Sequence, residues 1–271
     1  MSEPAWLAAA LQPRFTSPRV GALMSTRIGG VSTAPFDSFN LRPEVGDDPE
    51  AVAENRRRLQ QGLGVPPVRL DQVHGTAVVT LDQALLQRSL AGHLPQADAS
   101  LSCRPGLACE VQVADCLPVL YADRAGRGVA AAHAGWRGLA GGIVEQTLAQ
   151  LCAATGAQPQ DIEVWLGACI GPTQFEVGAD VLLGFGVAPD RPGARFVPRA
   201  RPADELMPLM PKWLADLPGL ARDRLAAVGV RSMQGNDGSL PWCTVSQASR
   251  FFSFRRERRC GRMSALIWLR D

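Results

Sequence analysis

The sequence predicts an α+β fold in one domain. Two observations point there: short apolar runs of strand length outnumber the segments with helix caps, and strands and helices follow one another without a regular βαβ rhythm. A chain of 271 residues is long for one domain and short for two. The one stretch that could act as a linker, residues 186–211, is rich in Pro and Arg, but strands are expected on both sides of it. The chain therefore reads as a single catalytic domain over 1–271, with a variable loop at 186–211.

Taken in order, Val20 to Ser25 reads as a strand and Thr26 to Asn40, rich in Gly, Ser and Pro, as a long loop. Asp48-Pro49-Glu50 is a helix start, with an Asp cap, Pro at the first position and an acid in the first turn. That helix is expected to reach Leu63 and stop at Gly64. Strands follow at Val68 to Leu70, Ala77 to Leu81, Leu107 to Val113, Leu117 to Tyr121 and Val129 to His133, the last two forming a hairpin around Arg124–Arg127. One helix is expected from Leu139 to Thr155, stopped by Gly156, and a strand over Ile162 to Leu166. Beyond the Pro-rich loop come a helix from Lys212 to Val228 and strands at Val230 to Met233, Phe251 to Arg255 and Ala265 to Leu269.

Composition excludes several functions. Hydrophobic residues make up 46% and charged residues 20%, as in an ordinary globular protein. The net charge of +2 is too small to argue for a nucleic-acid or membrane partner, and neither is expected. No stretch is apolar for long enough to span a membrane. Seven cysteines without a C-x-x-C pair rule out a zinc ribbon or a thioredoxin-type motif and read as reduced thiols of a cytoplasmic protein. The start of the chain, with Glu3 and Pro4 and no basic run, lacks the pattern of a signal peptide.

Only three histidines occur, His74, His93 and His133. A histidine-rich cluster is thereby excluded, and so is a three-copper oxidase; one chain could supply at most a mononuclear copper site. His74 lies in Asp71-Gln72-Val73-His74-Gly75, between strands, and Cys116 in Ala114-Asp115-Cys116-Leu117-Pro118, also between strands. His133 ends a strand just before Gly135-Trp136-Arg137-Gly138. A His₂Cys set suits zinc and leaves a fourth position open, the arrangement of a catalytic site. The spacing has no local helical logic, so the set exists only if the fold assembles it; otherwise Cys116 is a small core residue and His74 a turn residue. His93 has neither a strand nor a partner motif and reads as an exposed loop residue. The glycines after His133, a helix start and Arg137 together suit an anion, unless the glycines serve only tight packing. Arg27 has a similar setting.

Ser25-Thr26-Arg27-Ile28-Gly29-Gly30-Val31-Ser32, Gln72-Val73-His74-Gly75, Ala114-Asp115-Cys116-Leu117-Pro118-Val119 and His133-Ala134-Gly135-Trp136-Arg137-Gly138 resemble the YfiH family. Further matches are Ile170-Gly171-Pro172, Phe175-Glu176-Val177-Gly178, Cys243-Thr244, Phe251-Phe252-Ser253 and Gly261-Arg262-Met263, in order over residues 20–269. The family is also labelled polyphenol oxidase or laccase-domain protein, and some members peptidoglycan editing factor. The resemblance implies mixed sheets layered against helices, and a zinc purine nucleoside phosphorylase that splits adenosine, inosine and S-methyl-5′-thioadenosine with phosphate and also deaminates adenosine. The family's metal ligands fall on His74, Cys116 and His133. On that basis Cys116, His133 and Asp115 are the expected catalytic residues, Asp115 as an acid/base group or as the partner that orients a His. Arg137 and Arg27 are the expected phosphate contacts. The expected partners are a nucleoside and phosphate, acting on a monomer. Two other chemistries remain open: a Cys–His hydrolase of cell-wall precursors with Cys116 as nucleophile, and a mononuclear copper phenol oxidase, with copper in place of zinc.

Overall fold

Two sheets lie face to face at the centre of the molecule and helices cover the outer face of each, in a computed structural model that describes residues 4–199 and 210–271. The larger sheet has six strands, in the order Ser232–Gly235, Ile162–Leu166, Leu117–Asp123, Val129–Ala134, Ala99–Ser102 and Val78–Thr80. Its two outermost pairings are parallel and the inner three antiparallel, so the sheet is mixed. The second sheet runs Val20–Met24, Met263–Leu269, Ala108–Val113 and Pro67–Val68. A small antiparallel sheet of Phe196–Pro198, Trp213–Ala215 and Glu176–Val177 completes the set. This is the α+β architecture with mixed sheets that the sequence leads one to expect.

The layering explains why the central strands read as continuous apolar runs rather than alternating ones. In Leu117–Asp123, Val119 and Tyr121 face the helices, whereas Leu120 and Ala122 face the second sheet. In Val129–Ala134, Ala130, Ala132 and Ala134 face the helices, and Val129 and Ala131 the second sheet. His133 shares the parity of Val129 and Ala131, so it points between the two sheets at the end of its strand. The far face of the second sheet is covered by the helix Pro49–Leu63, through Leu59 and Leu63. Asp48 caps that helix and Gly64 ends it, as its sequence signals require. Its buried Asn55 donates to Ser32 Oγ and to the Ser38 and Asn40 carbonyls and accepts from the Val31 N–H, which fixes the Gly- and Ser-rich loop.

Several expectations need correction. The helix expected over Leu139 to Thr155 is two helices, Trp136–Gly141 and Ile143–Thr155, broken at Gly142 with φ of 97°. The helix expected from Lys212 is shorter: Trp213–Ala215 is a strand, Asp216 accepts from the Gly219 N–H, and the helix is Leu217–Ala227. The strand expected at Phe251 to Arg255 does not form. Phe251 and Phe252 are buried in irregular backbone, and the Ser253 hydroxyl accepts from the Arg256 N–H to start a short helix, Phe254–Glu257. The helices Gln83–Leu90 and Ala179–Gly184 and the strand Ala99–Ser102 are additional. The expected variable loop at 186–211 carries the strand Phe196–Pro198, and its part over 200–209 lies outside the described residues.

Candidate metal centre

The three turns singled out by sequence meet at one end of the central strands. One ligand atom from each of His74, Cys116 and His133 lies within 4.8 Å of the others. Cys116 Sγ is 3.7 Å from His74 Nε2, and the two imidazole rings are edge to face with centroids 4.8 Å apart. Access is graded: His133 is buried, Cys116 half-buried and His74 exposed, so the set opens to one side. His93 lies elsewhere, in an exposed loop.

The residue that organises the centre is Asp98, which no local sequence motif marks. Its side chain is fully buried at the head of the strand Ala99–Ser102. The carboxylate accepts the backbone N–H groups of Val73 at 3.2 Å, His74 at 2.9 Å and Gly75 at 2.7 Å, and so shapes the turn that carries His74. The same carboxylate lies 2.8 Å from His133 Nδ1. That contact fixes Nδ1 as the protonated nitrogen and leaves Nε2 free as a ligand, the carboxylate–histidine–metal arrangement. Burial pushes the Asp98 carboxyl up, but His133 and the N–H groups of Gly75 and His74 outweigh it and hold the pKa below the usual value. An acid flanked by Ala97 and Ala99 in a short apolar run was the available signal, since an acid is almost never fully buried unless paired.

Backbone strain collects at the same place. His74 has φ of 62° and Asp115, beside Cys116, φ of 92°, both in a region that non-glycine residues rarely adopt. Gly135 passes so close that a Cβ there would sit 2.6 Å from His74 Cδ2 and 3.1 Å from Cys116 Sγ. The Gln72 side chain pairs with the Gln112 backbone in both directions, at 2.9 and 2.8 Å, and pins the His74 turn to the second sheet. Burial raises the Cys116 thiol, but the His133 and His74 imidazoles outweigh it and bring the pKa down to about 6. His133 moves the other way, to about 9: burial opposes its charge, while Cys116 and Asp98 favour it. Both shifts favour a thiolate at Cys116 and a charged imidazole at His133 in the metal-free protein. A thiolate and two imidazoles with a carboxylate behind one of them fit a borderline-soft divalent metal.

The other expected site residues fall differently. Asp115 is not placed to orient a histidine. Its carboxylate accepts from Thr244 Oγ1 at 2.5 Å and from the Arg255 N–H at 2.6 Å, tying the Cys116 turn to the Cys243-Thr244 segment and to the helix Phe254–Glu257. Arg27 is consumed by Asp37, Glu257 and the Asp37 and Ala248 carbonyls, and its guanidinium stacks on Phe252. Arg137 is exposed and lies over the Trp136 ring. Neither arginine lines the cavity beside the three ligands. That cavity, about 360 Å³, is instead walled by Arg42, Glu44, Gln72, Val113, Phe254 and Arg262, among others.

An α+β protein with two stacked sheets and an open His-Cys-His centre at the strand ends is the class that this geometry defines. The family model described as "Multi-copper polyphenol oxidoreductase laccase" matches residues 21–270, and the chain belongs to that family. It is 47% identical to a protein of Pseudomonas aeruginosa named purine nucleoside phosphorylase, over 96% of this chain and 98% of that one. It is 44% identical to purine nucleoside phosphorylase YfiH of Escherichia coli, over 95% and 97%. The crystal structure of a Neisseria meningitidis protein superimposes with a TM-score of 0.83 at 42% identity, covering 97% of this chain and 100% of that one. YlmD from Geobacillus stearothermophilus gives 0.81 at 30% identity, with 94% of each chain covered. Among the described residues, no helix is long and apolar enough to cross a membrane.

Proposed function

We propose that the protein is a zinc-dependent purine nucleoside phosphorylase acting on adenosine, inosine and S-methyl-5′-thioadenosine. The observation that carries this reading is the His74-Cys116-His133 set in the wall of a cavity that also presents an aromatic ring and two guanidinium groups. The names of the near-full-length relatives support it. In phosphorolysis a phosphate oxygen bonds to C1′ as the C1′–N9 bond breaks; the electron pair leaves with the purine, which takes up a proton, and ribose 1-phosphate remains. A zinc ion held by the three residues supplies Lewis-acid chemistry and a water of lowered pKa.

The chain's own contributions are positional. Asp98 fixes the His133 ring through Nδ1, which leaves Nε2 toward the centre, and holds the His74 turn through its backbone N–H. Phe254 is 52% exposed and lines the cavity, offering a flat apolar face to a purine. Val113 and Ala114 add apolar surface to the cavity wall. Asp115 connects the Cys116 turn to the helix that starts at Phe254, so ligand and ring are held at a fixed separation. Hydrolytic deamination of adenosine at C6 is the expected second activity of the same cavity. We further propose that the enzyme works in the cytoplasm as a monomer.

One observation favours a second reading. Cys116 Sγ lies 3.7 Å from His74 Nε2, and a thiol beside an imidazole is also what a Cys–His hydrolase of cell-wall precursors needs. Metal-defined protein incubated with inosine or adenosine, with and without phosphate, tests the first reading. Free base and ribose 1-phosphate are expected only when phosphate is supplied. Free ribose as the product in the presence of phosphate, or no turnover at all, overturns it.

A further inference from the structure

We infer that Arg42 and Arg262, not Arg27 or Arg137, form the subsite for an oxyanion, the phosphate co-substrate, beside the His-Cys-His centre. The inference rests on the phosphorylase reading and assigns residues to its second substrate.

Both side chains line the 360 Å³ cavity that contains His74, Cys116 and His133. Their donors are incompletely used. Arg42 meets Glu44 through Nε at 3.4 Å, and among the described residues its two terminal nitrogens make no hydrogen bond. Arg262 uses Nη1 on the Cys260 and Gly261 carbonyls, at 2.8 and 3.1 Å; its Nη2 and Nε have no such partner among the described residues. The contrast with Arg27 is direct, because all three of that residue's guanidinium nitrogens meet oxygen atoms.

The charge around the pair is also unbalanced. Among the described residues, Glu44 is the only carboxylate in the cavity wall, and Arg69, outside the wall, takes it as an ion-pair partner as well. Burial lowers the pKa of the Arg42 guanidinium, and Arg262 and Arg69 lower it further against the pull of Glu44 and Asp71. Cationic groups crowded together and partly dehydrated, with planar donor forks unfilled, favour a compact anion with several acceptor oxygens. Phe254 lies under Arg262, with the guanidinium carbon 5.8 Å from the ring centroid, so the aromatic face and the anion donors adjoin. A nucleoside beside the ring and a phosphate on the arginines are then neighbours in one cavity.

The test uses the zinc-loaded full chain and inorganic phosphate. Arg42→Gln and Arg262→Gln are compared with wild type by the KM for phosphate, the KM for inosine, and direct phosphate binding followed by titration calorimetry. Arg42→Gln is the safer variant, since Arg262 also holds the carbonyls of residues 260 and 261. Each variant is expected to raise the KM for phosphate about tenfold or more and to weaken direct binding to match, with the KM for inosine within about twofold. Phosphate-dependent turnover with both variants unchanged in phosphate KM and binding overturns the subsite and leaves the phosphorylase reading intact. Wild-type protein that neither binds phosphate nor requires it overturns both.

Discussion

Asp98 and His133 are joined twice: the His133 N–H donates to the Asp98 carbonyl at 2.7 Å, and Asp98 Oδ1 lies 2.8 Å from His133 Nδ1. The first bond belongs to the contact between neighbouring strands, and the second sets the ring. Because the same carboxylate holds the His74 turn, one buried side chain positions two of the three ligands.

Asp98→Asn is therefore expected to weaken metal binding about 10- to 100-fold, the usual cost of losing the carboxylate behind a ligating histidine. Competition with a chelator of known affinity measures it. Asp98→Ala additionally strands three backbone N–H groups and is expected to cost about 3 kcal/mol of stability, read by denaturant unfolding of the metal-free proteins. Wild-type metal affinity in Asp98→Asn would remove Asp98 from the centre.

One zinc per chain is expected, held by His74, Cys116 and His133. Elemental analysis of Cys116→Ala and His133→Ala should show its loss, because two remaining donors make a poor site. His74, the most exposed ligand, should be the mildest to replace. Wild-type zinc content in both Cys116→Ala and His133→Ala would mean that the ligands are misassigned.

Much of this centre was legible in the sequence and part was not, for a physical reason. His74, Cys116 and His133 each end a strand or sit in a turn beside one, so their local context marked them. Asp98 carries no turn signal; its meaning comes from partners 23 to 35 residues away that only the fold supplies. Arg27 and Arg137 have the right local setting, but an arginine's role depends on what its guanidinium reaches, and tertiary contacts decide that. The helix starts at Asp48 and Gly142 illustrate the same divide. Asp48-Pro49 is a local signal and holds, whereas Gly142 lies inside a run that reads as one helix until the backbone turns left-handed there.

The sequence also suggests Asp115 as an acid/base group, whereas its contacts make it a tether. Asp115→Asn is expected to change kcat less than tenfold and leave the pH profile in place. A general acid or base would cost about 10²–10⁴-fold and remove one limb of the profile. Arg137→Ala, at an exposed residue outside the cavity, is expected to change the KM for phosphate less than threefold. Steady-state kinetics over pH 5–9 distinguish these outcomes.

Gly135→Ala probes the closest approach of backbone to the ligands. The added Cβ would meet His74 Cδ2 at 2.6 Å and Cys116 Sγ at 3.1 Å, so one ligand must move. Because His74 is exposed, displacement of its ring is the cheaper response. The variant is expected to fold with a stability loss of about 1–3 kcal/mol and to hold zinc more weakly. Unaltered zinc affinity would show that the turn accommodates the methyl group without moving a ligand.

Cys116 alkylation separates metal chemistry from thiol chemistry. In metal-free protein the His133 and His74 imidazoles bring the thiol down to about 6 against the effect of burial. A lowered pKa means that the reactive thiolate is present above that pH and is lost as the pH falls through it. The alkylation rate at Cys116, located by peptide mapping, should therefore rise through a midpoint near pH 6 and be flat by pH 8. Cys103 and Cys152 are the other reachable thiols; burial raises both, helped by Asp123 at Cys103 and by Asp161 and Asp123 at Cys152, so they react only at higher pH and serve as internal controls. Zinc should suppress the Cys116 reaction, because the bound sulfur has its lone pair committed to the metal, and chelation should restore it. A Cys–His hydrolase predicts the reverse link to activity: metal-free protein would turn over its substrate and trap an adduct on Cys116. Turnover that tracks zinc content, with no substrate adduct on Cys116, is the expected result.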